Sequence, residues 1–225
     1  MPIVIEGIYS TPVASGAMES HSTATLLKGI GLKGDRYAAR AGTYSVLTPE
    51  PGRQLTLISA EGVKQAMGQE TSVGDLRRNV VLGGITAQEL VDCVGSRIQL
   101  GNTATLLVHR NCVPCMYNER KNQIKGMMEA LWDAGGVNCE VLEGGTISVG
   151  DSLTIIKDSS ENHVVTDGGK PSWFYVRPSQ RTAEMVREGI AGKRKTHERL
   201  KESDPEGVER AQKSYESVGL CFWPK

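Results

Sequence analysis

Up to residue 157, short apolar runs with alternating polar partners recur, and glycine or a polar turn closes each one. The clearest are Ile3–Ile8, Gln54–Ile58, Asn79–Leu82, Arg97–Leu100, Thr103–His109, Val137–Leu142, Thr146–Val149 and Ser152–Ile156. A period of two sorts side chains onto opposite faces, and β-branched residues suit a half-buried pleat, so these runs predict strands. Their spacing predicts a mainly β fold, a barrel or sandwich with a few short helices. Two runs echo each other, Val94–Leu100 and Val149–Ile155: an apolar residue, Gly, two polar residues, then alternation. That pattern is a tight turn feeding a half-buried strand.

Helical spacing interrupts the strands twice. Ser59 is placed to cap one helix through Met67, with Val63 and Met67 on one face. A second is predicted over Asn118–Trp132, where Ile124, Met127, Met128 and Leu131 fall at helical spacing before Gly135–Gly136 stops it. After Lys157 the pattern changes. Asp158–Pro171 is polar and glycine-bearing and reads as a linker. Trp173, Phe174, Tyr175 and Val176 then form an apolar strip expected to dock on the first part. Charged helices are expected near Arg181–Ala191 and Pro205–Ser217, the second opened by a capping acid, Asp204, and a proline at its first position. The tail closes on Cys221, Phe222 and Trp223 and is expected to pack as a helical appendage. The division predicted is a β domain over 1–157 and a linker with a C-terminal helical extension over 158–225.

Composition narrows the function classes. The chain has 225 residues, and its 26 Lys+Arg balance 26 Asp+Glu. A nucleic-acid binder carries a basic footprint, so none is expected as partner. No stretch reaches the roughly 18 apolar residues of a membrane span, so no membrane is expected either. The 26 glycines against two phenylalanines fit a chain of many turns. The start, MPIVIEGIYSTP, lacks the basic head and apolar run of a secretory signal. With that start, five cysteines point to reduced thiols and a cytoplasmic location.

Three segments carry candidate chemistry. Cys112-Val113-Pro114-Cys115 follows a strand, where a rigid scaffold can present a thiol, and Arg110 stands beside it to favour a thiolate. A zinc ribbon would need a second pair, and a thioredoxin-type couple would need a helix inside a βαβ unit. Ordinary buried thiols remain the third reading. Arg77, Arg78 and Asn79 stand at a strand entry, where alternation sends Arg77 and Asn79 to one face and Arg78 to the other. Their guanidinium forks suit phosphate or carboxylate, or a solvated rim. In Gly31-Leu32-Lys33-Gly34-Asp35-Arg36, Asp35 is expected to fix the turn and Arg36 to reach a ligand. His21, His109, His163 and His197 show no metal spacing, although His109 lies near the thiols; Glu61 and Glu143 are isolated.

In this order the segments resemble one family. Gly31 to Arg36, Leu55 to Ile58 with Glu61, Leu76 to Ile85, Val94 to Gly101, Pro114-Cys115, and Gly136 to Gly145 with Val149-Gly150-Asp151 are similar to the MOSC domain, named for the C-terminal domain of molybdenum cofactor sulfurase. The resemblance runs from about Met1 to Ile156. It implies a β-barrel and an essential cysteine, preceded by proline and so mapped to Cys115. That cysteine binds the molybdenum of the pterin cofactor (molybdopterin) or carries persulfide sulfur, which Cys112 would resolve as a disulfide. The family's arginine loops, mapped to Arg36, Arg77 and Arg78 with Asn79 and Asp35, are expected to hold the cofactor phosphate. Pyridoxal phosphate is a further family-level association. The resemblance implies either reduction of N-hydroxylated compounds or sulfur transfer. No flavin or iron–sulfur motif is visible, so a separate electron-donor or sulfur-donor protein is expected. A non-enzymatic cofactor-binding or interaction module is the alternative. A soft thiolate for molybdenum and guanidinium for phosphate suit that chemistry.

Overall fold

The structure, a computed structural model, describes residues 1–47, 52–68, 72–156, 166–167, 170–171 and 176–222. In chain order its elements begin β1 (Val4–Ser10), β2 (Glu19–His21), β3 (Thr23–Leu27), β4 (Gly31–Leu32), β5 (Leu55–Ser59), α1 (Ala60–Met67), β6 (Val80–Gly83) and α2 (Ala87–Asp92). They continue with β7 (Arg97–Leu100), β8 (Ala104–Asn111), α3 (Met116–Asn122), α4 (Met127–Ala130), β9 (Val137–Glu143), β10 (Gly145–Ser148) and β11 (Leu153–Ile156). The two-residue strands β12 (Thr166–Asp167) and β13 (Lys170–Pro171) pair with each other, and α5 (Ala183–Ser203) and α6 (Pro205–Glu216) complete the chain.

Alternation in sequence becomes burial in the sheet. Along β8, Ala104, Leu106 and Val108 are buried while Thr105, Leu107 and His109 are half-buried. The buried set meets its counterpart on β9, with Leu106 opposite Val141 and Val108 opposite Cys139. The rhythm stops at the end of β8, where Arg110 and Asn111 are both buried. The echoing runs are partners: β7 and β11 pair antiparallel, Ile98 opposite Ile155 and Leu100 opposite Leu153.

Among the described residues, eight strands form one mixed sheet in the order β11-β7-β8-β9-β5-β6-β1-β2, in which only β5 and β6 run parallel. Their crossover carries α1, whose first turn Ser59 caps by accepting from the Gly62 amide at 2.9 Å. The outer edge of β1 is shared. Ile8, Tyr9 and Ser10 pair with β2, while Val4 bridges Ser152 and the Ile5 amide donates to the Asp151 carbonyl at 2.9 Å. The sheet therefore curls until the start of β1 meets the residue before β11 at one isolated bridge, and among the described residues its ladder does not close as a continuous barrel. A smaller sheet, β10-β3-β4, completes the β part. No described helix is long and apolar enough to cross a membrane.

Several elements depart from their sequence expectation. β2 and β3 are largely exposed, so they carry no period-two apolar signal. α2 is short and is set by a capping box between Thr86 and Glu89 rather than by a long apolar stripe. The single helix expected over Asn118–Trp132 is two, α3 and α4, because Gln123 adopts left-handed backbone (φ 57°) and ends the first. Met127 and Leu131 still join the cluster around Ile58, Val63 and Leu76, so the apolar spacing is met by a broken helix. α5 runs on to Ser203 through charged residues that carry no apolar period. Asp204 then ends it and caps α6, accepting from the Gly207 amide at 2.9 Å.

The tail packs on the β part. Leu200 and Ala211 bury against Val46, joined by Val208 and Phe222. Arg177 reaches Asp92 and Gln88, and the Ser179 amide donates to Asp133 Oδ1 at 3.2 Å. Trp173, Phe174, Tyr175 and Trp223 lie outside the described residues.

Gly136 sits between the core and the cysteine loop. Its φ is 87°, a Cβ there would run into the Leu57 carbonyl, and its own carbonyl accepts from the Cys112 amide at 2.8 Å. Left-handed strain and a backbone clash add, so Gly136→Ala is expected to lower unfolding free energy by about 2–5 kcal/mol in urea titration.

Candidate functional site

β8 delivers the chain to a cavity of about 1280 Å³. Beyond Asn111 the loop is held by the Cys112 amide bond to Gly136, and Pro114 leads into Cys115 at the N-cap of α3. Cys115 makes no capping hydrogen bond, which leaves its sulfur for other partners. The C-x-x-C segment does open a helix, but between antiparallel β8 and β9 instead of inside a βαβ unit. Cys112 and Cys115 are both half-buried and both line the cavity. Among the described residues no group of three or more His, Cys, Asp or Glu is arranged to hold a metal.

Arg36, Arg77, Arg78 and Asn79 line the same cavity, and Asp35 lies buried next to them. Arg77 has left-handed backbone (φ 61°), which breaks the expected alternation and brings Arg77, Arg78 and Asn79 to one side. Asp35 Oδ1 accepts from the Tyr37 amide at 2.9 Å, fixing the turn. Its Oδ2 accepts from Arg36 Nη1 at 3.0 Å and Asn79 Nδ2 at 3.3 Å. Arg36 is thus paired with its neighbour as it faces the cavity. Asn79 Oδ1 in turn accepts from the Thr56 amide and hydroxyl at 3.1 and 2.9 Å, so Asn79 joins three segments.

Arg77 and Arg78 bond to carbonyls. Arg77 donates to Gly16 and Ala14, each at 2.7 Å. Arg78 donates through Nε to Gly135 at 2.8 Å, through Nη1 to Leu76 at 3.1 Å and through Nη2 to Cys112 at 3.3 Å. A neutral carbonyl fills a donor without cancelling the charge, so both cations still project a positive field. Among the described residues, six arginines line the cavity against two glutamates, Glu184 and Glu188, which leaves it cationic.

The thiol has partners that sequence reasoning did not name. Tyr44 Oη lies 3.1 Å from Cys115 Sγ and 2.6 Å from Tyr215 Oη, and Tyr215 belongs to α6. Burial, the neighbouring Cys115 and Tyr215 raise Tyr44 well above an ordinary phenol. Burial followed by Cys115 raises Tyr215 likewise, so both hydroxyls keep their protons. Tyr117 stacks on Tyr215 with ring centroids 4.9 Å apart. Its hydroxyl meets Ser15, Thr43 and Ser214, three segments remote in sequence. The one sequence clue was the placement of tyrosines in otherwise polar stretches. Asn111 was also missed: it is 7% exposed and lines the cavity, and its Oδ1 and Nδ2 have no hydrogen-bond partner among the described residues. His109 lies outside the cavity wall, with Nδ1 3.1 Å from Arg110 Nη1.

The MOSC domain profile matches residues 46–154. No curated protein sequence matches the chain. Among solved structures, the chain is similar to the YuaD protein of Bacillus subtilis, with a TM-score of 0.56 and 20% identity over 69% of this chain and 96% of that one. YiiM of Geobacillus stearothermophilus matches with a TM-score of 0.53 and 15% identity over 88% of this chain and 100% of its own. YiiM of Escherichia coli gives 0.51 and 15%, over 83% and 90%. At these identities the likeness is one of fold.

The five thiols are expected to separate by environment. Burial, then Asp92 and Glu89, pushes Cys93 up to about 11, and burial raises Cys139 further. At pH 7.5 iodoacetamide and peptide mapping should mark Cys112, Cys115 and Cys221 before Cys93 or Cys139. Both buried thiols keep their protons in the fold and lose them near pH 8.5 when unfolded. Urea stability should therefore hold below about pH 8.5 and fall as pH rises towards 11, less steeply in Cys93→Ala.

Proposed function

The chain carries a MOSC domain, and on that premise we propose that it binds molybdenum cofactor through Cys115 and reduces N-hydroxylated compounds. The observation that carries the reading is a half-buried thiol in a cationic cavity large enough for a pterin-sized ligand. The residues present fit the group. Cys115 offers a soft sulfur donor, the arginines favour a phosphate, and the unpartnered amide of Asn111 offers a donor and an acceptor beside them.

Cys115 would hold the metal, and Arg36, Arg77 and Arg78 would supply the field that retains the phosphate, with Arg110 on the same wall. Asp35 and Asn79 act one step back by fixing Arg36 and the strand entry. When bound, the cofactor supplies two-electron oxygen-removal chemistry. The overall change takes an N-hydroxyl compound, two electrons and two protons to the amine and water, breaking the N–O bond. A separate reductase protein supplies the electrons. The protonated Tyr44 and Tyr215 hydroxyls hold protons next to Cys115 Sγ, and residues of α5 and α6 line the cavity that holds the thiol.

Molybdenum and pterin content of protein from a cofactor-producing host tests the reading. Near-stoichiometric metal is expected in the natural chain and in Cys112→Ala, with a loss of about tenfold or more in Cys115→Ala. Equal loss in both variants, or none in either, refutes the assignment of Cys115. Molybdenum-free protein that takes up sulfane sulfur at Cys115 would replace this reading with a sulfur carrier.

A further inference from the structure

Two neighbours in the chain, Thr43 and Tyr44, pair with two neighbours on α6, Ser214 and Tyr215. Thr43 Oγ1 lies 2.8 Å from Ser214 Oγ, and Tyr44 Oη lies 2.6 Å from Tyr215 Oη. Adjacent pairs set the register of α6 against the loop that carries Tyr44. Three rings then fix where the hydroxyls point. Tyr44 stands edge-on to Tyr117 and Tyr215, with centroids 6.4 and 6.2 Å away, and Tyr117 and Tyr215 stack at 4.9 Å. Tyr117 lies two residues beyond Cys115 on α3, so the stack ties α6 to the helix that Cys115 opens.

A phenol has one proton to donate, and its oxygen also accepts. Tyr44 Oη sits between Tyr215 Oη and Cys115 Sγ, at 2.6 and 3.1 Å. When Tyr215 donates to Tyr44, the Tyr44 proton therefore turns to the sulfur. The opposite sense needs an S–H to donate to Tyr44, and it is closed to a sulfur that has lost its proton or carries a ligand. Cys112 has no counterpart to this chain. Its amide donates to Gly136 and its carbonyl accepts from Arg78, but its sulfur meets no hydrogen-bond partner among the described residues. Both thiols are half-buried and line one cavity, so exposure does not separate them and the hydroxyl chain does.

We infer that Tyr44 and Tyr215 are positioning residues that hold Cys115 Sγ as a hydrogen-bond acceptor in the cavity. Through Tyr215 the helical extension makes Cys115, and not Cys112, the reacting thiol. The sulfur this arrangement suits is electron-rich, because such a sulfur accepts the hydroxyl that Tyr44 donates. The inference rests on Cys115 being the reaction centre proposed above, but it does not require molybdenum to be bound.

Alkylation of the cofactor-free full chain at one fixed pH tests it, in a Cys221→Ser background. Iodoacetamide labelling with peptide mapping reads Cys112 and Cys115 in the same molecule, so a general loosening moves both rates and loss of the hydroxyl chain moves one. The attacking species is the anionic sulfur, which a donated hydroxyl favours. Tyr44→Phe is therefore expected to slow Cys115 about five- to tenfold and Cys112 less than about twofold. Tyr215→Phe keeps the ring stack and is expected to slow Cys115 about two- to threefold. Because Tyr215 acts through Tyr44, the double variant should be no slower than Tyr44→Phe alone. p-Aminophenylalanine in place of Tyr44 restores a donor and should return the Cys115 rate towards the parent's, which a purely packing role of the ring does not predict. An unchanged Cys115-to-Cys112 ratio in Tyr44→Phe, equal slowing of both thiols, or effects that multiply in the double variant overturns the inference. Should Tyr44→Phe fail to fold, Tyr215→Phe decides by the same ratio. If the ratio shifts as expected but the parent binds no molybdenum, the cofactor reading fails and the positioning role stands. If molybdenum is held through Cys115 while the ratio is unchanged, the positioning role fails and the cofactor reading stands.

Discussion

Arg78 holds together the parts from which the site is made. Its guanidinium is 6% exposed in the residue as a whole and donates to the carbonyls of Leu76, Gly135 and Cys112. Removing that cation from water is costly, and the cost is offset only when its donors are filled. Hydrogen bonds from a charged donor contribute about 1.5–3 kcal/mol each, so three carbonyls make this arrangement stable. Because carbonyls are neutral, the same bonds that fix the cysteine loop leave a positive field at its base. Scaffold and electrostatics come from one side chain.

The rest of the site builds on that anchor by sharing groups between segments. Asp35 joins the Gly31-to-Arg36 loop to Asn79, and Asn79 joins the entry of β6 to β5. The curled sheet brings these loops to one end, and the end of β8 contributes Arg110 and Asn111 where its alternation stops. The tail then supplies a wall and a hydroxyl: α5 lines the cavity, and Tyr215 on α6 reaches Tyr44 beside the thiol. An appendage in sequence is thus part of the site in space. That arrangement gives the helical extension a reason to pack through Val46, Leu200 and Ala211 instead of hanging free.

Legibility differed by the range of the interaction involved. β7, β8, β9 and β11 were readable because alternation is a local pattern and burial obeyed it. The Ser59 and Asp204 caps were readable for the same reason, since each acts within one turn. The break between α3 and α4 was not, because the Met127 and Leu131 spacing suits a continuous helix equally well. Arg77 misled in a related way: alternation assumes extended backbone, and its left-handed conformation abandons it.

The sequence by itself determined the strand-rich class, the thiol pair, the arginine entry and the MOSC resemblance carried by their order, because each is written in neighbouring residues. Only the tertiary structure decided what surrounds Cys115. Tyr44 and Tyr215 are 171 residues apart, and the aromatic and hydroxyl contacts that join them have no period along the chain. Such contacts form when remote backbones are brought together by a buried core and carbonyl-bound cations. They can therefore be located only after the chain has folded.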